Sequence, residues 1–356
     1  MAYTHIDCFS GPGGICTGMH AAGFDTKIAI EFIQSCCDTY AANHPEVHLI
    51  HSDIRDVKAE DIIPYIPKGG VDLVTNAKMI LFENVPGIKT KTVEKGSKIL
   101  IVDVLKKELE EAGYINYKEF VLNADDFGVP QRRKRYFILA CKNLNWELIE
   151  PTPDEGKTVT VEQALASLPN VIPNSNQEAF EYEGKDSSFS KKMKDLTFWK
   201  RKEFNNNLTY QMPMRHREPT LERFGLLKQG ESLKNLFERY EGEERKKLQE
   251  KRILPKKMFI KRNYRLILNQ PSPTVTSHCL DEFVHPIYNR ALTVRECARL
   301  QSFPDSYDFC GGPYLTPHIH NDIQDKYEQI GDAVPPLLSY AWGNCISDIL
   351  KKYSAK

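Results

Sequence analysis

The sequence has 356 residues, with 48 Lys and Arg against 48 Asp and Glu for a formal net charge of zero; it is 41% hydrophobic and 27% charged. That balance excludes a disordered or collagen-like chain, and no apolar run approaches the roughly 18 residues of a membrane span. Residues 1–14 show no basic stretch followed by an apolar one, so they do not read as a signal peptide. Nine cysteines are scattered without a CxxC pair, and Cys36 and Cys37 are adjacent. This suits neither a metal site nor a disulfide framework, and it points to free thiols in a reducing, cytoplasmic setting.

The length suggests two domains. Short apolar runs at 5–9, 27–32, 48–54, 71–75, 79–85, 119–124 and 135–141 read as strands, and 14–24, 35–44 and 98–114 read as helices. Such alternation predicts an α/β fold with a doubly wound, mostly parallel sheet. From 151 to 275 the pattern loosens into prolines, the run Asn205, Asn206, Asn207 and a charged helix at 242–252. A second, smaller, irregular domain is expected there. Residues 276–356 look compact again, with helices at 293–303 and 335–353, and they are grouped with residues 1–150.

The zero net charge conceals an asymmetry. Residues 191–265 hold 22 Lys or Arg and 10 Asp or Glu, net +12, which leaves 26 against 38, net −12, for the rest. Phe198, Trp199, Phe204, Tyr210, Phe224, Tyr240 and Tyr264 lie in the basic stretch. Basic residues interleaved with aromatics suit a nucleic acid. A solvated surface with the charged helix exposed is the plainer alternative.

The first strand runs into Phe9-Ser10-Gly11-Pro12-Gly13-Gly14, and a helix follows at once. Glycines there permit a tight turn and let a ligand approach the helix N-terminus. The next strand ends in Glu31, 20 residues after Gly11, where an acid in doubly wound folds binds ribose hydroxyls. The third ends in Asp53-Ile54. Three such strand ends predict a nucleoside cofactor. The loop is not GxGxxG, so S-adenosylmethionine fits as well as NAD or better. Further on, the strand at 79–82 stops at Glu83-Asn84-Val85-Pro86-Gly87. A carboxyl at the end of a buried strand is a candidate acid with a raised pKa, or else a cap or loop salt bridge. Arg133 and Arg135 alternate along the following strand. They could hold a base oxygen, a phosphate or Glu83, or form a basic surface.

Together these motifs resemble the cytosine-C5 DNA methyltransferase family. FSGPGG resembles its first motif, Glu31-Phe32 its second, Asp53-Ile54 its third, FENVPG its ENV motif and QRRKR its QxRxR motif. Residues 290–304 resemble the motif that opens the C-terminal return, and 329–336 the last motif, whose helix packs back on the cofactor domain. The resemblance covers residues 5–145 and 268–350, and leaves 151–270 where the family keeps its target-recognition domain. It implies S-adenosylmethionine as cofactor and S-adenosylhomocysteine as product, held by Phe9, Ser10, Gly11, Gly13, Gly14, Glu31, Phe32, Asp53, Ile54, Asp332 and Val334. It implies Glu83, Asn84, Arg133 and Arg135 at a flipped-out cytosine. Base-reading residues are sought among Arg215, Arg217, Arg262, Asn263 and Arg265. The implied setting is the modification half of a bacterial restriction system: a monomer acting on double-stranded DNA at the nucleoid, with no membrane and with the endonuclease encoded separately. The tRNA-modifying branch ranks lower, because the recognition region here is long and basic.

The family's nucleophile is missing. It lies in a Pro-Cys pair after the strand at 71–75, and no Pro-Cys occurs anywhere in this sequence. Parallel neighbours need a crossover of about a dozen residues. Asn76, Ala77 and Lys78 reach only ~14 Å, while a five-residue strand alone spans ~16 Å. Either the working protein carries a catalytic loop and helix that this sequence lacks, which is favoured, or the chain is an inactive member that binds cofactor or DNA. Cys8, Cys36 and Cys37 come too early to substitute. Asp332 stands where the family usually has Asn, and Pro12 should stiffen the first loop.

Overall fold

The structure is a computed structural model and describes residues 2–68, 70–73, 77–154, 158–175, 180–201, 208–315 and 323–354. Val74–Asn76, Phe204 and the run 205–207 lie outside the described residues.

One sheet organises the molecule. β1 (Thr4–Cys8), β2 (Asp25–Glu31) and β3 (His48–His51) pair in parallel in the order β1-β2-β3. β4 (Met79–Asn84), β5 (Asn116–Asn123) and β6 (Lys134–Cys141) pair antiparallel in the order β4-β6-β5. Leu73 joins the two halves, bridging parallel to His5 and to Met79. The expected strand at 71–75 is thus represented, among the described residues, by one bridging residue. Asp72 pins that junction: its carboxylate accepts from the Thr4 N–H at 2.9 Å and pairs with Lys78 at 2.7 Å. The strand ends that face a ligand in doubly wound folds belong to β1, β2 and β4.

The helices follow the apolar periodicity. α1 (Gly14–Ala21) and α2 (Gln34–Asn43) flank the parallel half, with α3 (Ala59–Ile62) beyond β3; α4 (Ile101–Glu111) buries Val102 and Leu109. α5 (Val161–Leu165) and α6 (Ser188–Lys194) each begin with a capping box, at Thr160 and Ser187. α7 (Glu218–Gly225), α8 (Leu233–Arg239) and α9 (Gly242–Glu250) lie in the basic stretch, and α9 buries no residue. β7 (Tyr264–Arg265) pairs with β8 (Phe283–Val284), which follows α10 (Cys279–Glu282). α11 (Val294–Leu300), α12 (Lys326–Asp332) and α13 (Pro336–Ser354) close the chain.

α13 packs back on α1. A Cβ on Gly18 would lie 2.3 Å from the Pro336 carbonyl, and one on Gly343 2.5 Å from Ala22, so the two helices touch through glycines. Trp342 sits fully buried between this pair and the sheet, with its ring 5.1 Å from Phe137 and 5.6 Å from Phe120. The same core takes in Val161, Ala164, Phe189, Met193 and Trp199. Residues grouped by composition with the second domain therefore pack onto the first. A separate small core holds Phe224, Leu227, Leu233, Leu236, Phe237, Leu254 and Val284.

Two further ion pairs fix the C-terminal return. Arg290 forks onto Glu296 at 2.8 and 2.7 Å, and Arg299 onto Asp305 at 2.8 and 2.6 Å, all four fully buried. The aromatics of the basic stretch, a nucleic-acid signal in the sequence, are put to another use by packing. Trp199 and Phe224 are buried, and Phe198, Tyr210, Tyr240 and Tyr264 pack against one core or the other. Rings in an irregular segment are its largest source of apolar burial, so cores recruit them first.

Candidate active site

A cavity of about 400 Å³ opens at the carboxyl ends of β1, β2 and β4. Phe9, Ser10, Gly11, Gly14, Glu31, Glu83, Asp332 and Val334 all line it, so the structure brings together residues from four sequence motifs. Such a volume suits a nucleoside-sized ligand.

The glycines have different duties. Gly11 has φ +53, and a Cβ there would meet no atom within 4 Å, so it is the open face a ligand can approach. Gly14 has no room: a Cβ there would lie 2.3 Å from the Val334 carbonyl. A Cβ on Gly13 would lie 2.6 Å from the Tyr307 hydroxyl, and Gly13 is off the cavity wall. Gly13 and Gly14 thus seat the loop against the C-terminal return. Tyr307 completes that seat by donating to the Pro12 carbonyl.

Glu31 accepts from the N–H groups of Gly11, Phe32 and Ile33, each at 2.8 Å. It ties the first loop to the end of β2. Phe32 is half exposed and lies off the wall. Asp53 and Ile54 also lie off it: Ile54 packs with the Ile6 cluster, and Asp53 is engaged by Arg55 at 2.6 to 3.1 Å. Those Arg55 hydrogen bonds hold the Asp53 carboxyl at about 2.

Asp7 was not among the residues singled out from the sequence. It sits inside β1, 2% exposed, and lines the cavity. Burial, and then the negative charge of Glu31, push its carboxyl up to about 7, against a hydrogen bond from the Cys16 backbone. One Asp7 carboxylate oxygen and the Ser10 hydroxyl are buried without a partner. The signal available in the sequence was an acid one residue before the end of the first strand, just ahead of the glycine loop. The two orphaned groups are the fit test for a polar cofactor, because buried polar atoms normally find partners.

At the β4 end, Arg135 donates through Nε to Glu83 at 2.9 Å. Burial raises the Glu83 pKa, opposed by Arg135 and Arg133, as the strand-end position predicts. Asn84 accepts from the Val85 N–H at 2.8 Å and caps its own turn. Arg133 departs from the expected role at the base. It is 1% exposed and donates to the carbonyls of Val275 (2.6 Å), Gly331 (2.8 Å) and Ala333 (3.1 Å). It clamps the return to the sheet, because a buried guanidinium takes whatever carbonyls surround it. Burial raises the Asp332 pKa, with Arg133 opposing, and Gln324 donates to it at 2.9 Å.

The basic residues divide likewise. Arg215 and Arg217 are exposed beside a cleft of about 330 Å³ that Arg262 also lines. Arg265 is 5% exposed and donates to the carbonyls of Phe224, His285 and Tyr288, which removes it from base reading. Asn263 is buried too, and it turns the chain at φ 57 while donating to the Asp281 carbonyl.

Among the described residues, no thiol in the cavity is poised as a nucleophile. Burial, and then Asp7, push Cys8 up to about 12. Cys36, whose pKa burial also raises, is bonded to Gln324 at 3.1 Å.

A Rossmann-like methyltransferase fold with a cavity at these strand ends defines the class. The family model for C-5 cytosine-specific DNA methylases matches residues 3–77 and 73–348. The chain is 30% identical to the type II methyltransferase M.DdeI of Desulfomicrobium norvegicum over 381 positions, covering 96% of this chain and 88% of that protein. It is 27% identical to M1.HphI of Haemophilus parahaemolyticus, covering 96% and 86%. Among solved structures, a protein described as a DNA modification methyltransferase encoded within an E. coli prophage has a TM-score of 0.74 at 24% identity, covering 98% of this chain and 100% of that one. The Dnmt2 methyltransferase of S. pombe gives 0.53 at 16%, covering 99% of both chains.

The chain belongs to the C-5 cytosine-specific DNA methylase family, a class of S-adenosylmethionine-dependent enzymes. The two matched stretches meet at 73–77, where the nucleophile segment was expected. Among the described residues no helix is long and apolar enough to cross a membrane.

Proposed function

We propose that this chain is the cofactor-binding and base-holding framework of a restriction-modification cytosine-C5 methyltransferase, whose nucleophilic thiol enters on a segment between Asn76 and Ala77 that this sequence does not carry. One observation supports it above the rest. The cavity and the Glu83–Arg135 pair are built, while the two stretches of the family match overlap at 73–77 and Leu73 and Met79 bridge in parallel with too few residues between them for a crossover. Without the segment the chain is the inactive binding protein of the alternative reading.

S-adenosylmethionine, when bound, supplies the methyl group. Asp7 and Ser10 offer it polar atoms that otherwise lack partners, Glu31 holds the loop at Gly11, and Phe9, 74% exposed, stands at the cavity rim. Glu83 keeps a proton to higher pH than a free carboxyl and can donate it to N3 of an extrahelical cytosine. That makes C6 susceptible to attack by a thiolate. Arg135 fixes the Glu83 carboxyl in place. Arg133 acts one step away, by holding the return that carries Asp332 and Val334. The substrate is duplex DNA, the protein acts as a monomer in the bacterial cytoplasm, and the endonuclease is a separate chain.

Titration with S-adenosylmethionine tests the cofactor half. One equivalent should bind, S-adenosylhomocysteine should compete, and Asp7→Ala should weaken binding. Absence of binding in the folded wild-type chain would overturn it.

A further inference from the structure

Between α9 and β7 the chain carries seven Lys or Arg and no Asp or Glu over residues 251–265. The loop within it ends on fixed points. Leu254 is 1% exposed, the Pro255 carbonyl accepts from Gln249, the Arg262 carbonyl accepts from Leu233, and Asn263 is tied to Asp281. Between these anchors, no hydrogen bond among the described residues joins Lys256–Lys261 to the rest of the protein. The tip is Met258, Phe259 and Ile260, exposed by 46, 42 and 66%. Three consecutive large apolar side chains in solvent are a cost that a folded protein avoids unless a partner covers them. Their flanks are Lys256, Lys257, Lys261 and Arg262, all exposed. Arg262 lies 4.8 Å over the Phe259 ring and is paired with Asp281 at 3.2 Å. The cleft beside the tip is the one with Arg215 and Arg217 at its wall.

We infer that this loop is a wedge into duplex DNA: Phe259 and Ile260 enter between stacked base pairs, and the flanking cations hold the phosphates on either side. This rests on the reading that the chain acts on DNA. Base faces are flat, apolar and bordered by phosphates, which matches an apolar tip with a cationic collar. A two-fold copy of the chain fits worse, since it would set this collar against itself. Arg262, now shared between Asp281 and the Phe259 face, is released to a phosphate as the tip enters.

The test needs no knowledge of the target sequence. Relaxed plasmid is closed by topoisomerase in the presence of the full chain, and the change in linking number is read on a gel. The wild type should unwind the plasmid. Phe259→Ala/Ile260→Ala should lose most of that change and bind about tenfold more weakly, with an unaltered slope of affinity against salt. Lys256→Ala/Lys257→Ala/Lys261→Ala should do the reverse. It should keep the unwinding at saturation and flatten the salt slope by about 0.9 for each phosphate no longer neutralised. All five side chains are exposed, and circular dichroism checks that the variants fold. The inference is overturned if the Phe259/Ile260 variant unwinds and binds like the wild type. It is also overturned if sedimentation shows a wild-type dimer that this variant dissolves. A wild type that binds no plasmid defeats the DNA reading itself, which is a different result.

Discussion

Burial raises the carboxyl pKa of three acids that line the cavity, Asp7, Glu83 and Asp332. For Asp7 the sign is set by a folded pKa near 7 against an unfolded one of 3.8. Between those values the folded chain keeps a proton that the unfolded chain releases, so stability falls as pH rises from about 4 to 7. Asp7→Asn removes that dependence. Urea unfolding at pH 5 and pH 8 should show the wild type losing stability and the variant holding it, with a difference of at most about 3 kcal/mol. A wild type equally stable at both values would refute the buried, partly unpartnered environment of Asp7. The cofactor is cationic at sulfur and its product is not. Preference for S-adenosylmethionine over S-adenosylhomocysteine should therefore grow as pH passes 7, and competition binding at pH 6 and 8 checks this. Glu83 is tested in a chain given a Pro-Cys segment: Glu83→Gln should lower kcat by about 10²–10⁴ while leaving cofactor affinity unchanged.

At the scale of elements, buried guanidinium groups hold the C-terminal return: Arg133 ties it to the sheet, and the Arg290–Glu296 pair braces it from within. Burial alone would raise the Glu296 pKa; Arg290 overrides it and holds the carboxyl at about 2. Arg290→Met strands that carboxylate in the interior and should cost about 3–5 kcal/mol, whereas Arg290→Met with Glu296→Leu should recover most of it. Thermal unfolding of the two variants decides this, and equal loss in both would contradict it. The same elements show what is legible in the sequence. Strands and helices are, because period 2 and period 3.6 stand out locally. So are the strand-end acids Glu31 and Glu83, which belong to short-range patterns. Arg133 and Arg265 are not, because a cation's role depends on which carbonyls the fold closes around it, and theirs come from as far as 200 residues away. Gly13 and Gly14 look like ligand glycines until their neighbours, Tyr307 and Val334, are in place. The sign of the basic stretch is legible, but its rings go to the cores, and the exposed apolar tip at 258–260 carries the signal that those rings suggest.

Over the whole molecule the activity divides in two. In the proposed reading, cofactor and base are held by the cavity at the ends of β1, β2 and β4 and by the return, all of which are packed in this chain. The same reading assigns the thiol to a segment between Asn76 and Ala77 that this sequence does not carry. Leu73 and Met79 bridge in parallel with only five residues between them, too few for the crossover of about a dozen that parallel neighbours need. The framework should therefore fold and bind while the chemistry is lost. The most direct measurement is methyl transfer from labelled S-adenosylmethionine to plasmid DNA by the 356-residue chain, with cofactor binding measured on the same sample. Binding without transfer, and transfer once a Pro-Cys segment is placed between Asn76 and Ala77, is the predicted result. Transfer by the chain as it stands would contradict the account and would require a nucleophile among its nine cysteines.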